Sequence, residues 1–238
     1  MLPASKRMEV TRFSTPGQPA LDMLLTGAML RDVAERHRPA TVRVFRPGPT
    51  VAFGRRDGFA PGYEQAVEAA RLSGFAAAVR HAGGHAVAYD EGSIIVELIR
   101  PESHPVGGIE DRFVELTMLI QRSLGIAGVP VDVGELPGEY CAGRFSLHLR
   151  DGAKVVGVAQ RVIKGASLTT AAVTVGSGDR LRAVTARVYR ELGLALDVST
   201  VGAIADRFDI DPDPVANIIA ENVGAHFGAT LEHCDPLS

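Results

Sequence analysis

The chain has 238 residues, 46% of them hydrophobic, which is enough to bury one substantial core in a main α/β domain with a small tail. Its 25 basic and 28 acidic residues are well mixed and give a formal net charge of -3, so no basic stripe argues for a nucleic-acid footprint. MLPASKRMEVTRFSTPG at the start has no apolar leader, no stretch approaches the roughly 20 apolar residues of a membrane span, and Cys141 and Cys234 make no disulfide framework, so a soluble cytoplasmic protein with free thiols is expected.

From Pro19 to about His37, Leu21, Leu24, Leu25, Ala28 and Met29 fall on one stripe, the spacing of an amphipathic helix that Pro39 ends. TVRVFRP and TVAFG, separated by the Pro47-Gly48-Pro49 turn, predict two strands in a hairpin. PGYEQAVEAARLSG opens on Pro61, keeps Ala66, Ala69 and Ala70 inside and closes on Gly74, the asymmetry of a helix. FAAAVR predicts a strand that runs into AGGHA, and the apolar run from Gly92 to Ile99 predicts a buried strand at the centre of the sheet. Phe113, Leu116, Thr117, Ile120 and Leu124 recur at helical spacing, predicting a helix over 109–124. After a Gly-Pro-rich connector, FSLHLRDGAKVVGVAQRVIKGASLTTAAVTV reads as a strand, a turn at Asp151-Gly152 and two more strands, a β-meander. From about Ser177 the chain reads as two or three short helices, broken by Gly193 and by DPDP at 211–214.

Three segments carry chemistry. In Arg80-His81-Ala82-Gly83-Gly84-His85-Ala86-Val87-Ala88-Tyr89-Asp90, the glycine pair lets backbone approach a ligand or form an anion-holding nest, and Arg80 can clamp a carboxylate or phosphate; a plain turn that needs glycine explains the pair equally well. In Ala153 to Arg161, strand alternation puts Lys154, Val156 and Val158 on one face and Val155, Gly157 and Ala159 on the other, where the small residues leave room for a ligand. A lysine there is ordinarily a solvated charge. Cys141, in PGEYCAGRFS, is either an inert small hydrophobe or, in so irregular a loop, a nucleophile. Arg55-Arg56 reads as a ligand clamp or solvated charge, Asp90 as a cap of the turn before Gly92 or an orienting group, and His148 as structural. No residue set is assigned to a metal.

PTVAFGRRDGF, then R-x-A-G-G-H-A-V-x-x-D, then G-A-K-V-V-G-x-A-Q-R, in that order, resembles the catalytic domain shared by lipoate-protein ligases, octanoyltransferases and, more distantly, biotin ligases, over roughly residues 15 to 190. The resemblance implies an α/β (α+β) fold with a mixed, largely antiparallel sheet flanked by helices: a biotin/lipoate protein ligase-like domain over 1–176 and a helical tail over 177–238 packed on it. It implies that Lys154 points into an acyl pocket and binds the acyl carbonyl or an activated phosphate, and that Arg80, Gly83, Gly84, His85, Ala86, Gly157 and Ala159 bind the substrate. A fixed ammonium at a developing oxyanion is worth roughly 2.7–4 kcal/mol. As an exposed pocket lysine, Lys154 is expected to contribute little to stability.

The family's ATP-dependent ligases typically show Arg-Arg-x-Ser-Gly-Gly-Gly; here the second arginine, the serine and the third glycine are replaced. One branch of octanoyltransferases uses a cysteine a little upstream of the lysine strand, and Cys141 stands thirteen positions before Lys154. The resemblance therefore implies an octanoyl or lipoyl transferase acting through Cys141, with an ATP-dependent lipoate ligase using Lys154 and the Gly83-Gly84 nest, or a non-catalytic lipoate binder, as alternatives. Arg144, Lys154 or His148 would have to supply the cation that activates Cys141. Lipoate or octanoate is the acyl substrate, with ATP and Mg required only by a ligase. The implied partners are a lipoyl-domain protein, such as the glycine cleavage H protein or a 2-oxoacid dehydrogenase E2, and, as an alternative acyl donor, acyl carrier protein. No nucleic acid or membrane is implied.

Overall fold

The computed structural model describes residues 8–12, 18–103 and 107–229. Cys234 lies outside them. The strands are β1 (Met8–Thr11), β2 (Ala40–Phe45), β3 (Thr50–Phe53), β4 (Ala76–Val79), β5 (Val87–Tyr89), β6 (Ser93–Glu102), β7 (Asp132–Val133), β8 (Leu147–His148), β9 (Lys154–Ile163) and β10 (Gly165–Thr174). The helices are α1 (Pro19–Ala34), α2 (Tyr63–Leu72), α3 (Ile109–Ile126), α4 (Gly178–Leu192) and α5 (Pro212–Phe227). None of the described helices is long and apolar enough to cross a membrane.

A seven-stranded sheet has the order β1-β2-β6-β10-β9-β8-β7, and a three-stranded sheet the order β4-β3-β5. Only β1 with β2 and β3 with β4 pair in parallel, so the expected mixed, largely antiparallel sheet is present, divided in two. Side chains alternate across a strand, so each face of β6, β10 and β9 is a set of rows. On one face, Ile94, Val96, Ala171 and Val173 join Leu116 and Ile120 of α3 and Val215, Ile219 and Val223 of α5 in one buried cluster. On the other face the rows read Ile95–Ala172–Gly157, then Glu97–Thr170–Ala159, then Ile99–Leu168–Arg161. α1 lies over this second face. A second cluster, with Phe45, Phe53, Val87 and Ile95, draws in Leu181, Val184, Val188 and Tyr189 of α4, which packs on α2. Helices beyond residue 176 thus contribute to both clusters.

The expected hairpin does not form. β2 lies between β1 and β6, whereas β3 lies between β4 and β5, so Pro47-Gly48-Pro49 carries the chain from one sheet to the other. Two prolines withhold the N–H groups that a tight hairpin ladder needs. The stripe expected on α1 is also rotated: Leu21 and Leu24 are exposed, while Asp22, Thr26, Met29, Leu30 and Val33 are buried. The cause is the buried Arg43 on β2, whose guanidinium bonds the Asp22 carboxylate and turns that polar residue inward.

Candidate active site

Cys141 follows a buried Glu139-Tyr140 step in the loop between β7 and β8. Its φ of 43° lies in the left-handed region, sparsely populated for a residue with a side chain and sustained only by surrounding contacts. Those contacts are on both sides of the residue. Its amide donates to Tyr189 Oη at 2.7 Å, and its carbonyl accepts from Lys154 Nζ at 3.1 Å. Tyr189 Oη donates in turn to the Ala86 carbonyl at 3.0 Å, and burial holds its phenol above the ordinary range, so it remains a donor.

The rest of the loop is built on Glu139. Oε1 accepts from Lys154 Nζ at 2.9 Å, Ser146 Oγ at 2.6 Å and the Gly143 amide at 3.0 Å, and Oε2 from the Leu136 amide at 3.2 Å. Lys154 is 1% exposed, and its third donor reaches the Tyr140 carbonyl at 2.8 Å. Burial pulls its pKa below the ordinary lysine value while the Glu139 carboxylate opposes that shift. The expectation of an exposed lysine with little effect on the fold is therefore corrected: Lys154 is half of a buried ion pair, and removing it strands a carboxylate.

Strand alternation also misplaces Lys154. Opposite β8, Leu147 pairs with Val156 and His148 with Lys154, which leaves Val155 as an extra residue. This bulge turns Lys154 to the side of Gly157, where a Cβ on the glycine would sit 3.6 Å from Lys154 Cε. Lys154 thereby joins the wall of a narrow, mostly apolar cavity with Gly157, Ala159, Thr170 and Ala172 below, Met23 and Thr26 of α1 above, and Val87, Tyr89 and Ile95 to the side. Arg80, His81 and Cys141 stand on the same wall, and Glu97 faces the interior in the second row.

Two N–H groups aim at the sulfur: Arg80 Nη2 at 3.3 Å and the His85 amide at 3.2 Å from Cys141 Sγ. Arg80 Nη2 also donates to the His85 carbonyl at 2.8 Å, while its Nε is buried and has no hydrogen-bond partner among the described residues. Gly84 is what permits this approach. With φ of 96°, a Cβ there would lie 2.5 Å from Cys141 Sγ and 2.6 Å from Arg80 Nη2, so nothing larger fits.

Of the residues expected from sequence, Arg80, Cys141, Lys154, Gly157 and Ala159 line the cavity. Gly83, Gly84, His85 and Ala86 stand behind it and do not form an open anion nest. The Gly83 amide is committed to the Gln160 carbonyl at 3.1 Å, and Arg80 faces the thiol rather than clamping an anion. Of the cations expected near Cys141, Arg144 pairs with Glu110, and His148 Nδ1 lies against the Leu149 carbonyl. Lys154 holds the Cys141 carbonyl, and it is Arg80 that reaches the sulfur. Asp90 is buried, accepts from the Gly92 amide and pairs with Arg180, so it caps its turn. Exposed Arg56 contacts His85 Nε2. Among the described residues no group of three or more His, Cys, Asp or Glu is placed to hold a metal.

Sequence reasoning missed Tyr189, which lies 48 positions from Cys141 and carries no local signal. Glu139 was visible only as a neighbour of Cys141, and the cavity-lining Met23, Thr26 and Glu97 were read as parts of a plain helix and a plain buried strand.

A mixed sheet with a narrow apolar cavity, on whose wall a thiol, an arginine and a buried lysine stand together, defines an α/β domain with a concave, mostly apolar site. The chain belongs to the lipoyl protein ligase A/B catalytic domain family, whose model matches residues 18–201. It is 31% identical over 166 residues to an octanoyl-[GcvH]:protein N-octanoyltransferase of Geobacillus kaustophilus, covering 70% of this chain and 58% of that protein. A lipoyl-[GcvH]:protein N-lipoyltransferase of Listeria monocytogenes is 27% identical over 161 residues, 65% of this chain and 58% of its own length. The matched region thus spans less than two thirds of these relatives. In fold the chain is similar to a lipoate-protein ligase A bound with ATP, with a TM-score of 0.74 at 21% identity over 96% of this chain and 88% of that one.

Proposed function

We propose that this protein is an acyltransferase that carries an octanoyl or lipoyl group as a thioester on Cys141 and passes it to a lysine of a lipoyl-domain protein. The observation that carries the reading is the sulfur's position: Sγ stands on the wall of the apolar cavity with Arg80 Nη2 and the His85 amide directed at it. Negative charge on sulfur, in the attacking thiolate and again when the thioester breaks, falls on those two donors. The cavity holds the alkyl chain and excludes water, which limits loss of the thioester to hydrolysis. Arg80 Nε, without a partner among the described residues, is the donor left for an acyl carbonyl oxygen.

Lys154 acts here by fixing the loop, since its three donors are taken by Glu139 and the Tyr140 and Cys141 carbonyls. That arrangement disfavours the ATP-dependent ligase reading, in which the ammonium has to face an activated phosphate. The names of the relatives support GcvH, the glycine cleavage H protein, as the acyl donor, and a 2-oxoacid dehydrogenase E2 lipoyl domain is a fitting acceptor.

Intact-protein mass spectrometry after incubation with octanoyl-GcvH, without ATP, tests the reading. An octanoyl adduct mapping to Cys141 and absent from Cys141→Ser is the expected result. Acylation of the acceptor only with Mg-ATP, by the wild type and Cys141→Ser alike, would establish a ligase instead.

A further inference from the structure

The loop that carries the thiol's donors holds a second acid–base pair. Asp57, with its side chain 1% exposed, accepts the Gly54 amide on Oδ2 at 2.8 Å and sets Oδ1 2.6 Å from His85 Nδ1. A carboxylate only accepts, so Nδ1 carries the hydrogen and Nε2 is left with its lone pair outward. The ring is 23% exposed, and the guanidinium of Arg56 already presents a cationic N–H donor to Nε2. The amide of this same histidine lies 3.2 Å from Cys141 Sγ, so the ring is carried by a residue that already touches the thiol, and it faces solvent beside the loop.

The reaction read above needs such a group. A lysine ammonium with an ordinary pKa near 10.4 is almost entirely protonated at neutral pH and is not a nucleophile. The groups touching Cys141 cannot take its proton: Arg80 and Lys154 are cations, the His85 amide is a donor, and the Tyr189 hydroxyl is held above the ordinary range by burial. Glu139 is buried under the loop with both oxygens occupied.

Resting on that reading, we propose that His85, oriented by Asp57, is the general base of the second half-reaction, and that the target lysine's ammonium displaces Arg56 from Nε2. One proton passes from the ammonium to Nε2, and the freed amine attacks the thioester carbonyl. A C–N bond forms, the C–S bond breaks, and the second nitrogen proton leaves with the sulfur as the Cys141 thiol. The amide product keeps one hydrogen on nitrogen, and the imidazolium returns its proton to solvent.

The test separates the halves of the reaction. Octanoyl-enzyme is prepared from octanoyl-GcvH, desalted and mixed with an acceptor lipoyl domain, and loss of the adduct is timed by mass spectrometry at pH 7 and pH 9.5. His85→Gln should load slowly, since the leaving lysine of octanoyl-GcvH takes its proton from the same imidazole, and once loaded over a long incubation it should transfer the adduct about 10²–10⁴-fold more slowly at pH 7. The deficit should shrink at pH 9.5, where the lysine amine increasingly loses its proton unaided; a merely structural role gives no such convergence. Arg56→Ala, on an exposed residue, should transfer several-fold faster at pH 7 because it frees Nε2. Transfer by His85→Gln at the wild-type rate, a deficit equal at both pH values, or an Arg56→Ala variant as slow as His85→Gln would each overturn the assignment. Absence of any adduct on the wild type would overturn it too, through failure of the thioester reading itself.

Discussion

Two clusters of buried charge flank the cavity and act on different kinds of structure. On the thiol side, the Lys154 ammonium bonds a carboxylate and two backbone carbonyls of an irregular loop. On the α1 side, the fully buried Arg43 bonds Asp22 and Glu97, with Thr26 Oγ1 donating to Glu97 at 2.6 Å, so a helix is joined to two strands that already have ladders of their own. A charge bonded to loop carbonyls determines where one reactive atom sits. A charge bonded between regular elements determines how tightly they pack. The first should therefore govern chemistry and stability together, and the second chiefly stability, touching the cavity only through Thr26 and Glu97.

Lys154→Met should have the largest effect. It strands Glu139 in the interior, for an expected cost of about 3–5 kcal/mol, and it frees the Cys141 carbonyl, for an expected loss of at least about 10²-fold in adduct formation. Thermal unfolding and timed mass spectrometry read the two effects. Adding Glu139→Gln should recover much of the stability, because the uncompensated charge goes, yet leave adduct formation low. Recovery of both would show that Lys154 serves packing only, and the contrast between the clusters would collapse.

Arg43→Met comes next. A similar cost of about 3–5 kcal/mol is expected from leaving Asp22 and Glu97 without their guanidinium. Burial already raises the pKa of Glu97, chiefly against the pull of Arg43, so protonation of that carboxyl will absorb part of the loss. Adduct formation per folded molecule should fall far less than in Lys154→Met, since Arg43 reaches the cavity only through Glu97 and leaves Cys141, Arg80 and the His85 amide in place. A fall as deep as that of Lys154→Met would erase the distinction.

Gly157→Ala leaves both clusters in place and acts on the space between them. A Cβ at Gly157 meets nothing closer than 3.6 Å, so the fold should hold, while the added methyl occupies the first row of the cavity floor. Octanoyl transfer should drop about 10–200-fold, as expected for methyl-scale changes in an apolar pocket, with the unfolding temperature little changed. Equal rates for short and long acyl donors before and after the change would place the chain elsewhere.

The same contrast explains what was legible in the sequence. The strand and helix types were readable because β6, β10, α2 and α3 follow their own periodicity. Cys141, Lys154 and the Arg80 segment were readable as motifs. The face of Lys154 was not, because one bulge residue, Val155, reverses the alternation. The α1 stripe was not, because Arg43, on a strand that follows it in the chain, turns Asp22 inward. Hairpin logic failed at Pro47-Gly48-Pro49 because β3 finds its partners in β4 and β5, which periodicity along β2 and β3 does not encode. Local pattern reports an element; it does not report which distant charge rotates it.

His81 offers the smallest and most local test, because it joins the two sides of the cavity. It neighbours Arg80 in the chain, and its ring packs on Gly27 of α1, where a Cβ would lie 2.4 Å from Nε2. Burial holds its pKa below the ordinary 6.5, a backbone hydrogen bond to Met23 opposes this, and the positive charges of Arg161, Arg31 and Arg55 add to the lowering. The folded state therefore binds that proton less readily than the unfolded chain. The stability tied to neutral His81 is complete above about pH 6.5 and is lost as pH falls through the folded-state value. The unfolding temperature should thus decline between pH 6.5 and 5 more steeply in wild type than in His81→Gln. Parallel slopes would mean that the imidazole carries no proton penalty, and that the cavity wall between thiol and helix is wetter than its packing indicates.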